Sequence, residues 1–164
     1  MSFALSANEL ENALSVLSAK MPSMNVDLIL LGRLSRLLHT RITNQLNDCL
    51  RQHGLTESLW HALLAVYAQP KHEILPSELS DVLNLTRTSA TRLSDELVMN
   101  GWATRYTHPK DRRKITLKLT DAGEKLIQEV SPDTNAVRRQ IWSALSADEQ
   151  QQLRCLLQKL LEHK

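Results

Sequence analysis

The 164-residue chain has little of what marks enzymes, membrane proteins and disulfide scaffolds. No stretch approaches the roughly 18 uninterrupted apolar residues that a membrane-spanning helix needs. Only two cysteines occur, Cys49 and Cys155, far apart and outside any CxxC pair, so neither a disulfide framework nor a cysteine metal clip is expected. Six histidines show no HxxxH or HExxH spacing, and no metal site is expected. Glycines number four, with no glycine-rich phosphate loop and no GxSxG nucleophile motif, so the chain does not read as an enzyme and implies no cofactor. Its first residues, MSFALSANELENALSVLSAKM, carry two early glutamates and no basic region ahead of the apolar ones. They do not resemble a secretory signal, and a reducing, cytoplasmic location is expected.

What is present is a leucine-, alanine- and serine-rich chain, 42% apolar and 23% charged, with the composition of a mainly helical globular protein. Net charge is only +2, but it is unevenly placed. Residues 86–120 hold eight Lys/Arg against three acids, leaving the remainder of the chain at −3. A basic module on a mildly acidic body is the footprint of a phosphate-binding surface.

Apolar spacing near 3.6 predicts helices over about 6–19, 26–53 and 56–69, then from Pro76 past Val82 and from Thr86 to Asn100. The third of these should face inward through Leu59, Trp60, Leu63, Leu64 and Tyr67, and the fourth should bury Leu79, Val82 and Leu83. Thr56, Thr86 and Thr120 are expected N-caps, Ser146 with Glu149 a capping box, and Gly54 and Gly101 C-terminal stops. After Gly101 the period changes to two. WATRYT and RKITLKLT, separated by HPKD, predict a β-hairpin with a basic tip, with Trp102, Ile115, Leu117 and Leu119 on one face and Arg105 and Lys118 away from it. A helix follows from Thr120 to about Val130. Pro132 is expected to interrupt it or to open a new segment reaching Ala144, and a final helix carries a seam of Leu153, Leu156, Leu157, Leu160 and Leu161.

Helix, short turn, helix and a two-stranded wing make a winged helix-turn-helix. The stretch TRTSATRLSDELVMNGW fits its second, reading helix. Its outward first turns carry Thr, Ser and Arg where an ordinary solvated helix would favour Glu and Lys. Short hydroxyls approach a groove floor closely, and arginine can grip a guanine edge or a phosphate. Arg87, Thr88, Ser89, Thr91 and Arg92 are therefore the expected reading face. Ser77 is placed for the DNA backbone, and Arg112 and Arg113 at the wing for the adjacent minor groove.

The run LPSELSDVLNLTRTSATRLSDELVMNGWATRYTHPKDRRKITLKLTDAGEKL resembles the MarR family of bacterial transcriptional regulators, most specifically in its Asp111–Thr120 wing ending. PSELS, RTSATRLSDEL, GW and QIWSALS look most like the EmrR branch, repressors of multidrug-efflux operons. The resemblance implies a mainly α fold with a small β-wing, divided into N-terminal dimerisation helices (1–54), a DNA-binding winged helix (55–120) and C-terminal dimerisation helices (121–164). It implies a homodimer on double-stranded, pseudo-palindromic operator DNA, relieved by small aromatic or phenolic ligands. It makes Asp111, Arg113 and, with them, Arg112 and Lys114 the wing's DNA-binding residues. Thr86 departs from members that place an acidic partner for the wing arginine there.

The apolar excess of the last helix and of VDLILL (26–31) points independently to burial against a second copy. An aromatic anion would suit Arg33, Arg36, His39, Ser58, Trp60 and Leu64, where guanidinium charge and an indole are available. The competing reading is a winged helix that binds a ligand or a protein without specific DNA binding; its outer face would be more apolar or acidic.

Overall fold

The computed structural model describes residues 7–21, 23, 25–108 and 111–163; the side chains at 7, 10, 17–19, 108 and 111–114 also lie outside the description. Seven α-helices and three strands are present among these residues: α1 (Ala7–Lys20), α2 (Val26–Arg51), α3 (Glu57–Tyr67), β1 (Glu73–Ile74), α4 (Pro76–Val82), α5 (Arg87–Met99), β2 (Ala103–His108), β3 (Asp111–Leu119), α6 (Asp121–Trp142) and α7 (Ala147–Glu162). The chain divides into two compact units, residues 1–44 and 45–164, with α2 continuous across the division.

In the first unit, α1 and the opening turns of α2 leave several large apolar side chains in solvent, among them Val16, Leu28 and Leu31. The second unit holds most of the core: Leu46 and Leu50 of α2, Leu59, Trp60, Leu63 and Val66 of α3, Leu79 of α4, Ala90, Leu93 and Leu97 of α5, Leu117 and Leu119 of β3, and Ile127 and Val130 of α6. Burying side chains of this size contributes about 1.5–3 kcal/mol each, which fixes α5 by its inner stripe and leaves its outer face free.

Helix ends follow local chemistry. The hydroxyls of Thr56, Thr86, Thr120 and Ser146 accept from the amides three residues on, satisfying donors that the helix cannot. The Ser146–Glu149 box is complete, and the Ser146 amide and hydroxyl hold the Glu149 carboxyl below its usual range. Gly54 and Gly101 sit at φ 69° and 72°, where a β-carbon would be strained. Asn84 takes the same left-handed conformation at φ 51° between α4 and α5, a position asparagine tolerates better than most residues.

The structure departs from expectation in four places. The wing is not a lone hairpin: the sheet has three antiparallel strands in the order β1-β3-β2, with Glu73 opposite Lys118 and Ile74 opposite Leu117. Pro132 neither stops nor restarts a helix, because α6 runs through it. Proline has no amide to give the ladder, and the hydroxyls of Ser131 and Thr134 donate to the carbonyls of Ile127 and Ser131 beside it. Val82 is 56% exposed rather than buried, since Leu79 and Ser80 supply the inner side of the short α4. Arg105 lies directly opposite Leu117, so it shares the inner face of the sheet with the buried Ala103 and Leu117.

Candidate nucleic-acid interface

The structure brings Arg87, Thr88, Ser89, Thr91 and Arg92 onto the first two turns of one helix, α5. All but the half-buried Ser89 are exposed. The opposite side is anchored by Ala90, Leu93, Ser94 and Leu97, each 2% exposed or less. Thr86 sets where the helix starts. Its hydroxyl accepts from the Ser89 amide (3.2 Å) and donates to the Ser89 hydroxyl (2.9 Å).

The hydroxyls of the reading face are not equivalent. The Thr91 hydroxyl donates back to the Arg87 carbonyl at 2.9 Å and that of Ser89 is engaged by Thr86, whereas the Thr88 hydroxyl has no hydrogen bond among the described residues. Neither Arg87 nor Arg92 has an ion-pair partner among the described residues, so both guanidiniums are open to an external anion. Ser77 is exposed in the first turn of α4, which packs on α5. Asp111, Arg112, Arg113 and Lys114 form the first part of β3; their side chains, and residues 109–110 of the turn, lie outside the described residues.

Two cations of the basic segment are already paired, which charge counting along the sequence missed. Arg105 donates to the Asp95 carboxylate of α5 and, at 3.4 Å, to the Thr91 carbonyl. Lys118 reaches Glu73 at 3.0 Å, and the Tyr106 hydroxyl donates to the other oxygen of the same carboxylate at 2.6 Å. The Tyr106 and Lys118 hydrogen bonds hold the Glu73 carboxyl below its ordinary range, and Glu73 in turn raises the Tyr106 and Lys118 values. A carboxyl lowered in the folded state stabilises above its unfolded value, near 4.3, and that contribution disappears as pH falls through the folded value. Glu73→Gln should therefore melt lower than the parent at pH 7, with the two curves converging toward pH 3; thermal melts across pH measure this. A constant difference at every pH would reject it.

The residues suited to an aromatic anion fall in different units. Arg33, Arg36 and His39 are exposed on α2 in the first; Ser58, Trp60 and Leu64 are on α3 in the second, exposed, buried and half-buried respectively. Trp60 is 1% exposed, and its indole N–H has no acceptor among the described residues. Cys49 is half-buried. Burial first, and then the nearby Asp133 carboxylate, push its thiol up, away from a reactive thiolate. Among the described residues no group of three His, Cys, Asp or Glu side chains is arranged to hold a metal ion, and no helix is long and apolar enough to cross a membrane.

A capped helix with an open cationic and hydroxyl-bearing face, packed on a shorter helix and beside a β-wing, defines a winged-helix protein with a face chemically suited to nucleic acid. Residues 55–115 match the MarR family profile. The transcriptional repressor MprA of Escherichia coli K12 is 41% identical over 133 residues, 81% of this chain and 76% of that protein. A solved cysteine-to-serine mutant of MarR from E. coli, complexed with operator DNA, superposes with a TM-score of 0.76 at 29% identity, covering 82% of this chain and 96% of the other. Sco3205 from Streptomyces coelicolor, also in complex with DNA, shares the fold at a TM-score of 0.80 and 23% identity, over 85% and 88% of the two chains. The chain belongs to the MarR family of transcriptional regulators, which are not enzymes.

Proposed function

We propose that this protein is a homodimeric, sequence-specific repressor that places α5 in the major groove of a pseudo-palindromic operator. The carrying observation is the exposed Arg87, Thr88, Thr91 and Arg92 face, fixed by a buried inner stripe and free of internal ion pairs among the described residues. Arg87 and Arg92 take base edges or phosphates, Thr88 offers a free hydroxyl, and Ser89 and the α5 amides face the backbone. Ser77 meets a phosphate from α4. Arg112, Arg113 and Lys114 of the wing enter the flanking minor groove, with Asp111 shaping the turn. Selection of bound duplexes from a random pool tests this. Recovery of an inverted repeat with half-sites about one helical turn, ~34 Å, apart supports it. Salt-insensitive binding, or enrichment of no sequence, rejects it.

Dimerisation is supported by the apolar side chains that one chain leaves in water. Leu156, Leu157, Leu160 and Leu161 of α7 are 47–87% exposed, and no residue of α7 is buried. Leu28 and Leu31 of α2 are 64% and 62% exposed. Residues 1–54 and 121–164 supply the surfaces that a second copy covers, and residues 55–120 the winged helix. Leu157→Glu with Leu160→Glu should shift the sedimentation mass from dimer to monomer and weaken operator binding at least tenfold, because the two half-sites are no longer occupied as one unit. A double variant that sediments as a dimer would remove α7 from the interface.

The resemblance to MprA supports control of an efflux operon and release by a small aromatic acid or phenol. The unsatisfied indole N–H of Trp60 adds to this, since a buried donor without an acceptor is costly and a ligand oxygen would satisfy it. Ser58 and Leu64 share α3 with Trp60 and complete the proposed ligand set there, whereas Arg33, Arg36 and His39 belong to the other unit. Titration of the repressor–operator complex with a panel of aromatic carboxylic acids and phenols tests it. Release by a member of the panel, reduced in Ser58→Ala, is the expected result; no release by any member rejects it.

A further inference from the structure

We propose that Arg105 is a positioning residue for DNA recognition: by gripping Asp95 and the Thr91 carbonyl it sets the angle of the wing against the reading helix. The inference rests on α5 being that helix. Thr91 and Asp95 lie one turn apart on the outer side of α5, and the guanidinium of Arg105, on β2, contacts both. One cation thus joins the two elements proposed to meet DNA, using an acid that would otherwise repel phosphate from the reading face.

The place of this contact along the sheet matters more than its strength. On the inner face, Ala103, Leu117 and Leu119 are at most 4% exposed. One step toward the tip, Thr107 stands opposite Ile115, and Ile115 is 51% exposed. Arg105 therefore marks the border on this face where core packing ends, although Thr116 and Tyr106 on the opposite face are still covered or tied to Glu73. From there to the turn is about five residues, or ~15 Å at the rise of a strand. A swing of ~10° at the border would carry the tip some ~3 Å, enough to break hydrogen bonds to a groove. An exposed ion pair adds little to stability, but here it ties β2 to α5 where the packing of the inner face ends.

Arginine's fork suits this double contact, and lysine offers one compact charge in its place. A residue that merely touches phosphate would tolerate lysine. The test uses the full-length protein on the duplex selected by the parent, reading hydroxyl-radical protection in the minor groove and guanine-N7 methylation protection in the major groove. Arg105→Ala, Arg105→Lys and Asp95→Ala should each bind roughly tenfold more weakly, losing minor-groove protection at the wing and keeping major-groove protection. For Asp95→Ala the loss comes despite removal of a negative charge next to DNA. The Arg105→Ala/Asp95→Ala double variant should be no worse than the weaker single one. Parental or tighter binding by Asp95→Ala, parental binding by Arg105→Lys, or equal fading of both grooves' protection would overturn the proposal. If the parent itself protects no sequence, it is the DNA-reading role of α5 that fails.

Discussion

Arg92→Ala is expected to lose on the order of 1–3 kcal/mol of operator binding, and Arg113→Ala a similar amount, with the fold and the dimer intact. The two losses should differ in kind. Arg92 sits on the second turn of α5, exposed and without an ion-pair partner among the described residues. Its truncation leaves no buried charge behind, and protein stability should move by no more than about 0.5 kcal/mol. If Arg92 reads a guanine edge, the loss is concentrated on the selected sequence and nonspecific binding changes little. If it grips phosphate, binding weakens on every duplex and the logarithmic salt slope falls by about one. Binding through Arg113, which the proposal above places in the minor groove, should be sensitive to the A·T content flanking each half-site. Gel shifts at several salt concentrations, with selected and scrambled duplexes, separate these outcomes. Parental affinity in both variants would remove these arginines from the interface.

Gly123→Ala is expected to be the most damaging single-methyl change, costing about 3 kcal/mol and lowering Tm by on the order of 10 °C at matched protein concentration. A β-carbon there would stand 2.2 Å from the Trp102 carbonyl oxygen and 3.1 Å from its carbon. Neither side can withdraw cheaply. The Trp102 oxygen accepts from the Thr120 amide at 3.1 Å, and the Trp102 amide donates to the Leu97 carbonyl at 3.0 Å. The Thr120 hydroxyl donates to the Gly101 carbonyl and accepts from the Gly123 amide. The end of α5, the start of the wing and the first turn of α6 meet at this point, so the damage should reach DNA binding as well as stability. Melting followed by circular dichroism measures it; a Tm within 2 °C of the parent would show that the junction gives way more easily than its hydrogen bonds suggest.

Local chemistry was the part of the structure legible beforehand. Thr56, Thr86, Thr120 and Ser146 announce helix starts because a hydroxyl three residues before a free amide acts without regard to tertiary context. The change of period after Gly101 announces the wing for the same reason, and the outer face of α5 stands out because its residues suit a groove better than water. What was not legible is what the chain brings together across space. Glu73–Ile74 is too short to show a strand period, and becomes a strand only because β3 offers it a free edge. Arg105 and Lys118 look like free cations until Asp95 and Glu73 arrive from other elements. Gly123 reads as an indifferent residue near a helix start, since nothing local reveals the carbonyl lying against it. Pro132 carries a breaker's signal, yet α6, with Val130 and Thr134 fully buried on either side of it, continues past the proline.

The order β1-β3-β2 has a consequence for the uncomplexed protein. Two-residue β1 covers only the stretch of β3 around Leu117 and Lys118, so among the described residues most of that strand, and the outer side of β2, have no further strand partner. Bare ribbon edges invite pairing between molecules, and cationic side chains along them discourage it by mutual repulsion. Arg112, Arg113 and Lys114 belong to β3, and replacing them with neutral residues is expected to bring self-association, read by sedimentation, along with the loss of operator affinity proposed above.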